Sequence, residues 1–362
     1  MNKKIKVGII GTGGIAHAHM RSYLAFDDVE VVAGSDIVPG KAEAFFKEFN
    51  STAKGYDSTE KMLDEIELDA VSICTYNTTH ALCTVAALDK GIHVLCEKPM
   101  SVTLDEAIEM VRAQRRSGKI LTIGFQPRYD ANMQTVKEIV QSGMLGKVYY
   151  IQTGGGRRRG MPGGTFIKKD LAGMGALGDI GCYSLDMALN AVNYPKPLTV
   201  SATSSSYFGL NPKYRKSPEK FEVDDFSTAF VRLEGDITLV FSTSWAMHMD
   251  TRGDALFLGT DAGLKVKSPS PESPWGGAWD GTVGQISIFT DTLNHLTETV
   301  IPQKNVTGNR FEKKCRAFID AILTGGPSPI PADEILYNQA IIDGIIRSCS
   351  LGREVEIIIP NI

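Results

Sequence analysis

A glycine-rich turn follows the first apolar run of the chain. Val7–Ile10 shows no helical period and leads into a G-x-G-x-x-A pattern whose fixed positions are Gly11, Gly13 and Ala16. This order is typical of a buried strand that enters a tight turn and then a helix. Gly11 would allow the turn, Gly13 would let the backbone approach a pyrophosphate, and Ala16 would let the helix pack on the strand. The predicted nucleotide contacts are Gly11, Thr12, Gly13, Gly14 and Ile15.

An acidic residue stands at the end of the second strand-like run. Asp36 closely follows Val29–Gly34 and lies about twenty residues beyond the glycine turn. A carboxylate at that position accepts hydrogen bonds from the adenosine ribose hydroxyls and repels a 2′-phosphate. We therefore expect NAD as the cofactor in preference to NADP, although Lys41 is close in sequence. The alternative is that Asp36 is a solvated turn residue.

Two further polar turns follow strand-like runs. Tyr76, Asn77 and His80 come after Leu68–Cys74, and Glu97-Lys98-Pro99 comes after Ile92–Cys96. Ligands of parallel sheets bind at the carboxyl ends of the strands, so these turns are candidate cofactor contacts. The predicted contacts are Tyr76, Asn77, His80, Glu97 and Lys98. For His80 the alternative is a residue at a helix N-terminus that hydrogen-bonds the backbone.

A helical segment in the second half carries an acid and a phenol. On a helix over Ala176–Val192, Asp179 and Tyr183 are four residues apart and Asp186 is three further, so all three project from one face. An acid and a phenol on one helix face are candidates for catalysis. Surface acids and capping tyrosines are the non-catalytic alternative.

Two long loops are expected in the second half. Gly154–Gly175 contains three consecutive arginines, Arg157 to Arg159, of which Arg157 is a candidate contact for a substrate carboxylate or phosphate. Ion pairs that anchor the loop are the alternative. Ser268–Asp280 contains two tryptophans that either form a wall for stacking a sugar or fix the loop in place.

The elements that must position these residues suggest two domains. Strand-like and helix-like segments alternate up to about Phe125, which indicates a doubly wound parallel sheet. Beyond it, helices and alternating strand-like runs indicate an α+β domain with a mixed or antiparallel sheet. A chain of 362 residues also exceeds what one ordinary core fills. The expected division is a dinucleotide-binding Rossmann domain over 1–125 and a substrate-binding and oligomerisation domain over 126–362.

Composition excludes several classes of partner. Hydrophobic residues make up 43%, charged residues 22%, and the net charge is -4, so nucleic acid and anionic membranes are not expected partners. No apolar stretch approaches the length of a membrane span. The six cysteines form no C-x-x-C pair, which predicts reduced core residues of a cytoplasmic protein and no metal site.

These motifs together resemble the glucose-fructose oxidoreductase and inositol dehydrogenase family, Gfo/Idh/MocA. The resemblance covers essentially the whole chain and is carried, in the family's order, by Gly11, Asn77, His80, Glu97-Lys98-Pro99 and Asp179. It implies a Rossmann domain, a second domain with a large open sheet, a bound nicotinamide, and a homodimer or homotetramer. It also implies hydride transfer to or from a hydroxyl-bearing carbon of a sugar or cyclitol. Lys98 is similar to the family's catalytic lysine and Asp179 to its substrate-binding aspartate.

One residue departs from the pattern of many family members. They carry histidine where this chain has Tyr183, whereas the sugar oxidoreductase and dihydrodiol dehydrogenase branches resemble it in having tyrosine. The resemblance thus implies a phenolic acid or base. Oxidation of a carbinol removes a hydride and also the hydroxyl proton, so a base is required, and Tyr183 or Lys98 could accept this proton. The expected substrate contacts are Lys98, Arg157, Asp179 and Tyr183. The expected activity is that of an NAD(P)-dependent oxidoreductase acting on CH–OH groups. One alternative is an NAD-dependent glycosidase that uses transient ring oxidation. The other is a non-catalytic nucleotide-binding regulator, and the retention of Lys98, Asp179 and Tyr183 argues against this second alternative.

Overall fold

A computed structural model describes residues 4–215, 219–249, 254–268, 283–305 and 308–362. The chain forms two compact units. The first contains Met1–Gln126, Gly308–Leu336 and Ile362, and the second contains Pro127–Thr307 and Tyr337–Asn361. Each unit has its own sheet.

Strands and helices alternate regularly in the first part of the chain. The elements are β1 (Ile5–Ile10), α1 (Gly14–Leu24), β2 (Val29–Ser35), α2 (Lys41–Glu48), β3 (Lys54–Tyr56), α3 (Thr59–Glu65), β4 (Ala70–Ile73), α4 (His80–Asp89), β5 (His93–Cys96), α5 (Leu104–Ser117) and β6 (Leu121–Ile123). β3 and α3 were not predicted, because three and seven residues are too few to show a readable period.

The sheet of the first unit is parallel throughout the described residues. Its six strands lie in the order β3-β2-β1-β4-β5-β6. This is the order of a dinucleotide-binding Rossmann fold, in which ligands bind outside the carboxyl ends of the strands where the order reverses. That point lies between β1 and β4, so the predicted doubly wound sheet is confirmed.

Local end signals explain why some helix bounds were predictable. α5 begins at a capping box in which the Thr103 side chain accepts from the Glu106 N–H and the Glu106 side chain accepts from the Thr103 N–H. It ends at Gly118, whose φ of +65° is left-handed. Both signals lie within a few residues of the helix, so its bounds can be read from the local sequence.

The later elements are mostly strands, followed by two long helices. They are α6 (Ala131–Gln141), β7 (Val148–Gly156), α7 (Lys169–Ala172), α8 (Cys182–Ala191), β8 (Pro197–Ser205), α9 (Tyr207–Leu210), β9 (Phe226–Leu233), β10 (Ile237–Ser244), β11 (Ala255–Gly259), β12 (Ala262–Val266), β13 (Ile286–Thr292), β14 (His295–Ile301), α10 (Arg310–Thr324), α11 (Ala332–Leu351) and β15 (Val355–Glu356). β13 and β14 were not predicted, because their hairpin is largely exposed and lacks a clear alternation.

The second unit is built on one large sheet. The described strands give nine members in the order β14-β13-β12-β11-β7-β10-β9-β8-β15, and only β7 and β10 pair in parallel. One face is buried, as shown by the register-matched row Ile151, Leu239, Val231 and Val200, each 0% exposed. Helix α11 covers part of this face, since a Cβ added to Gly344 would lie 2.7 Å from Val200. The predicted mixed sheet is confirmed.

Helix α10 belongs to the first unit although it follows the second in sequence. Its Cys315, Phe318 and Ile319 are fully buried in one cluster with Val7 and Leu95 of the parallel sheet. The expected division at residue 125 therefore omits this helix. An amphipathic helix shows in sequence that it has an apolar face but not which sheet covers that face.

Among the described residues, no helix combines the length and the apolar character needed to cross a bilayer. All six cysteines lie in the described ranges and form no disulfide.

Candidate active site

The turn after β1 requires glycine at its first position. Gly11 has a φ of +83°, and a Cβ added there would lie 2.7 Å from the carbonyl oxygen of Cys74. Its N–H donates to the carbonyl of Ser35 at 2.7 Å. The turn therefore passes so close to the ends of β2 and β4 that any side chain would collide with backbone.

The residues after this turn leave room for a phosphate. Gly13 caps α1 without a side-chain hydrogen bond, and a Cβ added to Gly13 or Gly14 would meet no described atom within 4 Å. The first N–H groups of a helix have no partner within the helix and lie at the positive end of its dipole. A pyrophosphate fits this cradle by space and by charge.

Asp36 ends β2 with a fully engaged carboxylate. Its Oδ2 accepts from the N–H and the hydroxyl of Thr12 and from Lys41 Nζ, each at 2.9 Å, and its Oδ1 accepts from the Val38 N–H at 3.0 Å. Burial raises the pKa of Asp36, but these donors outweigh it and hold the pKa below its usual range. Asp36 is only 7% exposed, so the alternative of a solvated turn residue is wrong. Ribose recognition stays a prediction.

The turn after β4 leads into α4 through a 3₁₀ turn at Asn77–Thr79. Tyr76 and Asn77 are half-buried, whereas His80 is 1% exposed and its Nδ1 contacts the Pro99 carbonyl at 2.7 Å. Burial lowers the pKa of His80, and Nδ1 carries the proton because a carbonyl only accepts. The backbone hydrogen bond expected in the alternative for His80 is therefore present. Cofactor contact by Tyr76, Asn77 and His80 stays a prediction.

Glu97 and Lys98, consecutive in the turn after β5, differ in environment. Glu97 is 4% exposed, and its Oε1 accepts from His19 Nε2 at 2.8 Å and from Lys314 Nζ. Burial raises the pKa of Glu97, but the Lys314 ammonium and the His19 hydrogen bond hold it well below its usual range. Lys98 is half-buried, and its peptide bond to Pro99 is cis. Cofactor contact by either stays a prediction.

The sequence analysis missed Lys314 and His19. Lys314 lies four residues before the fully buried Phe318 on α10, which puts a lysine on the apolar face of an amphipathic helix. That position was the available signal. The partner of the lysine was not readable, because Glu97 lies 217 residues earlier.

Asp179 lies in a π-helix, Leu177–Gly181, that leads directly into α8. The indole N–H of Trp245 donates to its Oδ2 at 2.9 Å. The preceding backbone is held by Asp224, whose carboxylate accepts from the N–H groups of Gly175 at 2.7 Å and Leu177 at 2.9 Å. The single helix predicted over Ala176–Val192 is thus two helical segments, with Asp179 fixed by a tryptophan from β10's end.

Tyr183 and Asp186 both lie on α8 but have different surroundings. Tyr183 is 9% exposed in the first turn of the helix. Asp186 is fully buried in a bidentate ion pair with Arg128, through Nη2 at 2.8 Å and Nε at 3.0 Å, and also accepts from Tyr194. The Asp186 carboxylate is therefore a structural partner of Arg128.

Arg157 continues the pairing of β7 with β10. Its N–H donates to Ser244 at 2.9 Å, and its carbonyl accepts from Met247 at 3.0 Å. The side chain is 7% exposed, and the neighbouring Arg159 lies over the ring of Tyr214 at 5.5 Å. These contacts fix the backbone at Arg157 without an ion pair among them, and substrate contact by Arg157 stays a prediction.

The two expected loops have different outcomes. Part of Gly154–Gly175 is regular, since β7 runs to Gly156 and α7 lies within it. Residues 269–282, which hold the two tryptophans of the second expected loop, lie outside the described residues.

Two family models match consecutive parts of the chain. Residues 5–125 match that of the Gfo/Idh/MocA oxidoreductase family, described as an NAD-binding Rossmann fold, and residues 133–265 match that of the Gfo/Idh/MocA C-terminal domain. Together they cover well over half of the chain.

Two relatives with named activities are similar in sequence. D-glucoside 3-dehydrogenase of Escherichia coli K12 is 29% identical over 362 residues, covering 98% of this chain and 97% of that protein. Inositol 2-dehydrogenase of Salmonella typhimurium LT2 is 36% identical over 145 residues, covering 40% of this chain and 43% of that protein.

Solved structures share the fold at low sequence identity. Aldose-aldose oxidoreductase from Caulobacter crescentus, complexed with glycerol, has a TM-score of 0.78 at 23% identity and covers 98% of this chain and 100% of that chain. Levoglucosan dehydrogenase in complex with NADH has a TM-score of 0.81 at 20% identity, with 99% and 100% covered. At these identities the likeness concerns the fold alone.

Proposed function

Because the chain belongs to the Gfo/Idh/MocA oxidoreductase family, we propose that it is an NAD-dependent dehydrogenase or reductase of a sugar, glycoside or cyclitol. It would transfer hydride between the nicotinamide and a hydroxyl-bearing carbon. The enzyme class follows from the family and from the dehydrogenases among its relatives. The substrate class and the preference for NAD are part of this proposal.

One observation carries the proposal. The glycine turn follows β1 and Glu97-Lys98-Pro99 follows β5, and both strands are direct neighbours of β4 in one parallel sheet. Lys98 therefore lies at the sheet edge where a Rossmann fold binds its nucleotide. An ammonium group at this edge suits a hydroxyl or carbonyl oxygen that reacts beside the cofactor.

The chain must supply a proton acceptor for this reaction. A bound nicotinamide supplies the carbon that accepts or donates the hydride. In the oxidative direction the carbinol carbon loses a hydride with its bonding electron pair, and its oxygen loses a proton. We assign this proton to Lys98 and Tyr183 as a coupled pair. A tyrosine has an ordinary pKa near 10, and lowering it by three units takes about 4 kcal/mol, to which a cationic neighbour contributes.

We assign Asp179 to binding of the substrate rather than to transfer of the hydroxyl proton. The hydrogen bond from the Trp245 indole fixes one of its carboxylate oxygens. A carboxylate held in this way can accept a hydrogen bond from a sugar hydroxyl in one orientation. Its loss should therefore weaken substrate binding as well as turnover.

The relatives suggest where to look for the substrate. A relative that spans nearly the whole chain is named D-glucoside 3-dehydrogenase, and a Bacillus subtilis relative, 28% identical over 244 residues, is named glucose-6-phosphate 3-dehydrogenase. We propose the 3-hydroxyl of a hexopyranoside as the first reaction to test.

A substrate screen tests the proposal directly. The purified protein is incubated with NAD and a panel of glucosides, free sugars, sugar phosphates and inositols, and the absorbance of the reduced cofactor is followed. The expected product is two hydrogens lighter than its substrate by mass spectrometry. A cleaved glycoside without net cofactor turnover would identify a hydrolase instead. Cofactor binding without conversion of any compound would contradict an enzymatic role.

We also propose that the enzyme is a homodimer or homotetramer formed through the open face of its large sheet. Phe230, Val240 and Leu256 lie in one register-matched row across β9, β10, β7 and β11, and the next row contains Tyr150 and Leu258. These side chains are partly exposed, and Phe230 is 39% exposed. A partly exposed apolar sheet face is suited to self-complementary pairing with a second copy.

A reducing compartment is part of the same proposal. The six cysteines form no disulfide, and Cys74, Cys96, Cys182 and Cys315 are buried. This usage supports the cytoplasm as the location of the enzyme.

A further inference from the structure

The first unit contains an ion pair that the proposed chemistry does not itself use. Lys314 of α10 is 1% exposed, and its ammonium contacts Oε1 of Glu97, the residue before Lys98. We propose that Lys314 and Glu97 are positioning residues, which hold the turn that presents Lys98 to the substrate. This inference rests on the function proposed for Lys98.

The two oxygens of the Glu97 carboxylate have separate partners. Oε1 accepts from Lys314 Nζ and from His19 Nε2, whereas Oε2 accepts from the backbone N–H of Lys98 at 3.3 Å. The carboxylate thus links a buried cation directly to the backbone of the proposed acid–base residue. A displacement of Lys314 would therefore reach Lys98 through one side chain.

The backbone on either side of this carboxylate is also fixed. The N–H of Glu97 donates to Ile73 at 3.0 Å, and the N–H of Gly124 donates to the carbonyl of Cys96 at 2.7 Å. A Cβ added to Gly124 would lie 2.9 Å from Oε1 of Glu97, so the glycine makes room for the carboxylate. The turn is therefore held by β4 and β6 as well as by the ion pair.

His19 connects the same carboxylate to the nucleotide-binding helix. Its Nε2 donates to the ionised Glu97 carboxylate at 2.8 Å, and its Nδ1 contacts the Ser72 hydroxyl at 3.0 Å. The Tyr23 hydroxyl contacts the same Ser72 oxygen at 2.7 Å. His19 and Tyr23 both lie on α1, which follows the glycine turn. One cluster therefore joins α1, β4, the Lys98 turn and α10.

Stability alone is a weak reason for such a pair. Desolvation of two charges commonly offsets their attraction, and well-packed apolar side chains often replace a buried ion pair without loss of stability. Simple attachment of α10 would need only its apolar contacts with Val7 and Leu95. The pair is better explained by the geometry that it imposes on Lys98.

A double-mutant cycle that removes both charges distinguishes positioning of Lys98 from simple attachment of α10. The variants are Lys314→Met, Glu97→Gln and the double variant, with Lys313→Met, a half-buried lysine on the same helix, as the matched control. Lys314→Met alone leaves the buried Glu97 carboxylate without its ammonium partner and should lower the melting temperature. The double variant has neither the ammonium nor the carboxylate and should recover most of that loss. Its kcat should nevertheless stay at least about tenfold below wild type, because the link to Lys98 is gone.

A second measurement does not depend on turnover. Acylation of Lys98 by a small amine-reactive reagent, followed by mass spectrometry, reports how exposed and mobile this side chain is. We expect labelling at least about threefold faster in the double variant than in wild type or Lys313→Met, because the turn opens locally more often. Lys314→Arg, which keeps the cation, should restore slow labelling.

The two measurements distinguish the inference from the proposed function. A double variant with wild-type kcat and wild-type labelling would overturn the positioning role. A wild-type protein that converts no substrate, but whose Lys98 labelling changes as expected, would overturn the proposed function and leave the link between Lys314 and Lys98 standing. If the double variant fails to fold, Gly124→Ala displaces Glu97 without removing a charge, and unchanged labelling in it would likewise contradict the inference.

Discussion

Asp36 illustrates how one carboxylate serves both the fold and a proposed ligand. Four donors already contact it, among them the Lys41 ammonium. Ribose hydroxyls would therefore have to compete for an acceptor that Lys41 partly neutralises. Asp36 opposes a 2′-phosphate, whereas Lys41 attracts one, so the balance between the two decides cofactor preference.

Asp36→Ala should shift the preference from NAD towards NADP by at least tenfold in relative affinity. Two unit charges about 4 Å apart repel by about 4 kcal/mol at an effective dielectric of 20, and solvent reduces this figure. Titration calorimetry with both nucleotides measures the ratio. Lys41→Met in the Asp36→Ala background should weaken NADP binding again. Wild-type protein that binds NADP at least as tightly as NAD would disprove the assignment of Asp36.

Lys98→Ala and Tyr183→Phe should each lower kcat by about 100- to 10,000-fold while NADH affinity changes little, because acid–base groups act on the reacting hydroxyl. The double variant should lose less than the product of the two single losses, since residues that act as a unit are not additive. Asp179→Asn should raise KM as well. Undiminished turnover of a stable, NADH-binding Tyr183→Phe protein would leave Lys98 as the sole candidate and contradict the paired mechanism.

At the scale of elements, α10 completes the nucleotide-binding unit from a distant part of the chain. Phe318 is fully buried against the parallel sheet, and Lys314 on the same helix reaches Glu97. The helix thus contributes both apolar packing and a charged contact to a unit whose other strands and helices precede residue 127.

Phe318→Ala should lower the free energy of unfolding by about 3 to 5 kcal/mol, because it removes buried surface and leaves a cavity. Leu323→Ala on the same helix, at a position that is 50% exposed, is the matched control and should change it by less than about 0.5 kcal/mol. Urea denaturation followed by fluorescence and circular dichroism measures both. Equal effects would mean that α10 does not pack as described.

The segment that holds Asp179 rests on two adjacent buried acids. Asp224 accepts from the backbone that begins the π-helix, while Asp225 is 0% exposed and accepts from the Gly209 N–H at 2.6 Å. Burial raises the pKa of Asp225 to about 6. The carbonyl of Asp225 also accepts from the N–H of Trp245, the residue that contacts Asp179.

Asp225→Asn should gain stability relative to wild type as pH rises from about 4 to about 6. In this range the folded chain binds more protons than the unfolded chain, because the folded pKa is raised, so wild-type stability falls with rising pH. The asparagine carries no charge at any pH and avoids this loss. Melting temperatures of both proteins across this range test it. Asp236→Asn is the control, because Lys147 lowers the pKa of this exposed acid, so the difference from wild type should change little across the same range. A pH-independent difference for Asp225→Asn would refute the prediction.

At the scale of the whole molecule, the open sheet face carries partly exposed apolar residues in the interior of the sheet. Phe230, Val240 and Leu256 share one register-matched row, in which the β7 member is Gln152. A closed dimer or tetramer would bury this row without leaving a second open copy of the face.

Light scattering at micromolar concentration should give the mass of a dimer or tetramer for the wild-type protein. Phe230→Asp should shift the mass towards the monomer, because it adds a charge to the partly exposed row. Leu323→Asp makes the same chemical change on α10 and should leave the mass unchanged. A monomeric wild-type protein would remove the proposal of an oligomer.

Local sequence determined much of the first unit. The strand, turn and helix around Gly11 occupy consecutive residues. The strand requires an apolar run, the turn requires a glycine with a left-handed φ, and the helix begins after a glycine N-cap without a side-chain hydrogen bond. The bounds of α5 are predictable for the same reason, since Thr103 and Glu106 cap its first turn and Gly118 caps its last. The hairpin of β13 and β14 was missed, because its exposed strands carry no such local signal.

Only the tertiary structure decided the environments of the charged groups. Lys314 and Glu97 are 217 residues apart, Trp245 and Asp179 are 66 apart, and Asp186 meets Arg128 across 58. Whether a charge is buried depends on the partner that the fold brings to it, and no pattern of neighbouring residues encodes that partner. The sequence therefore determined which side chains could do chemistry, and the fold decided which of them are held in place.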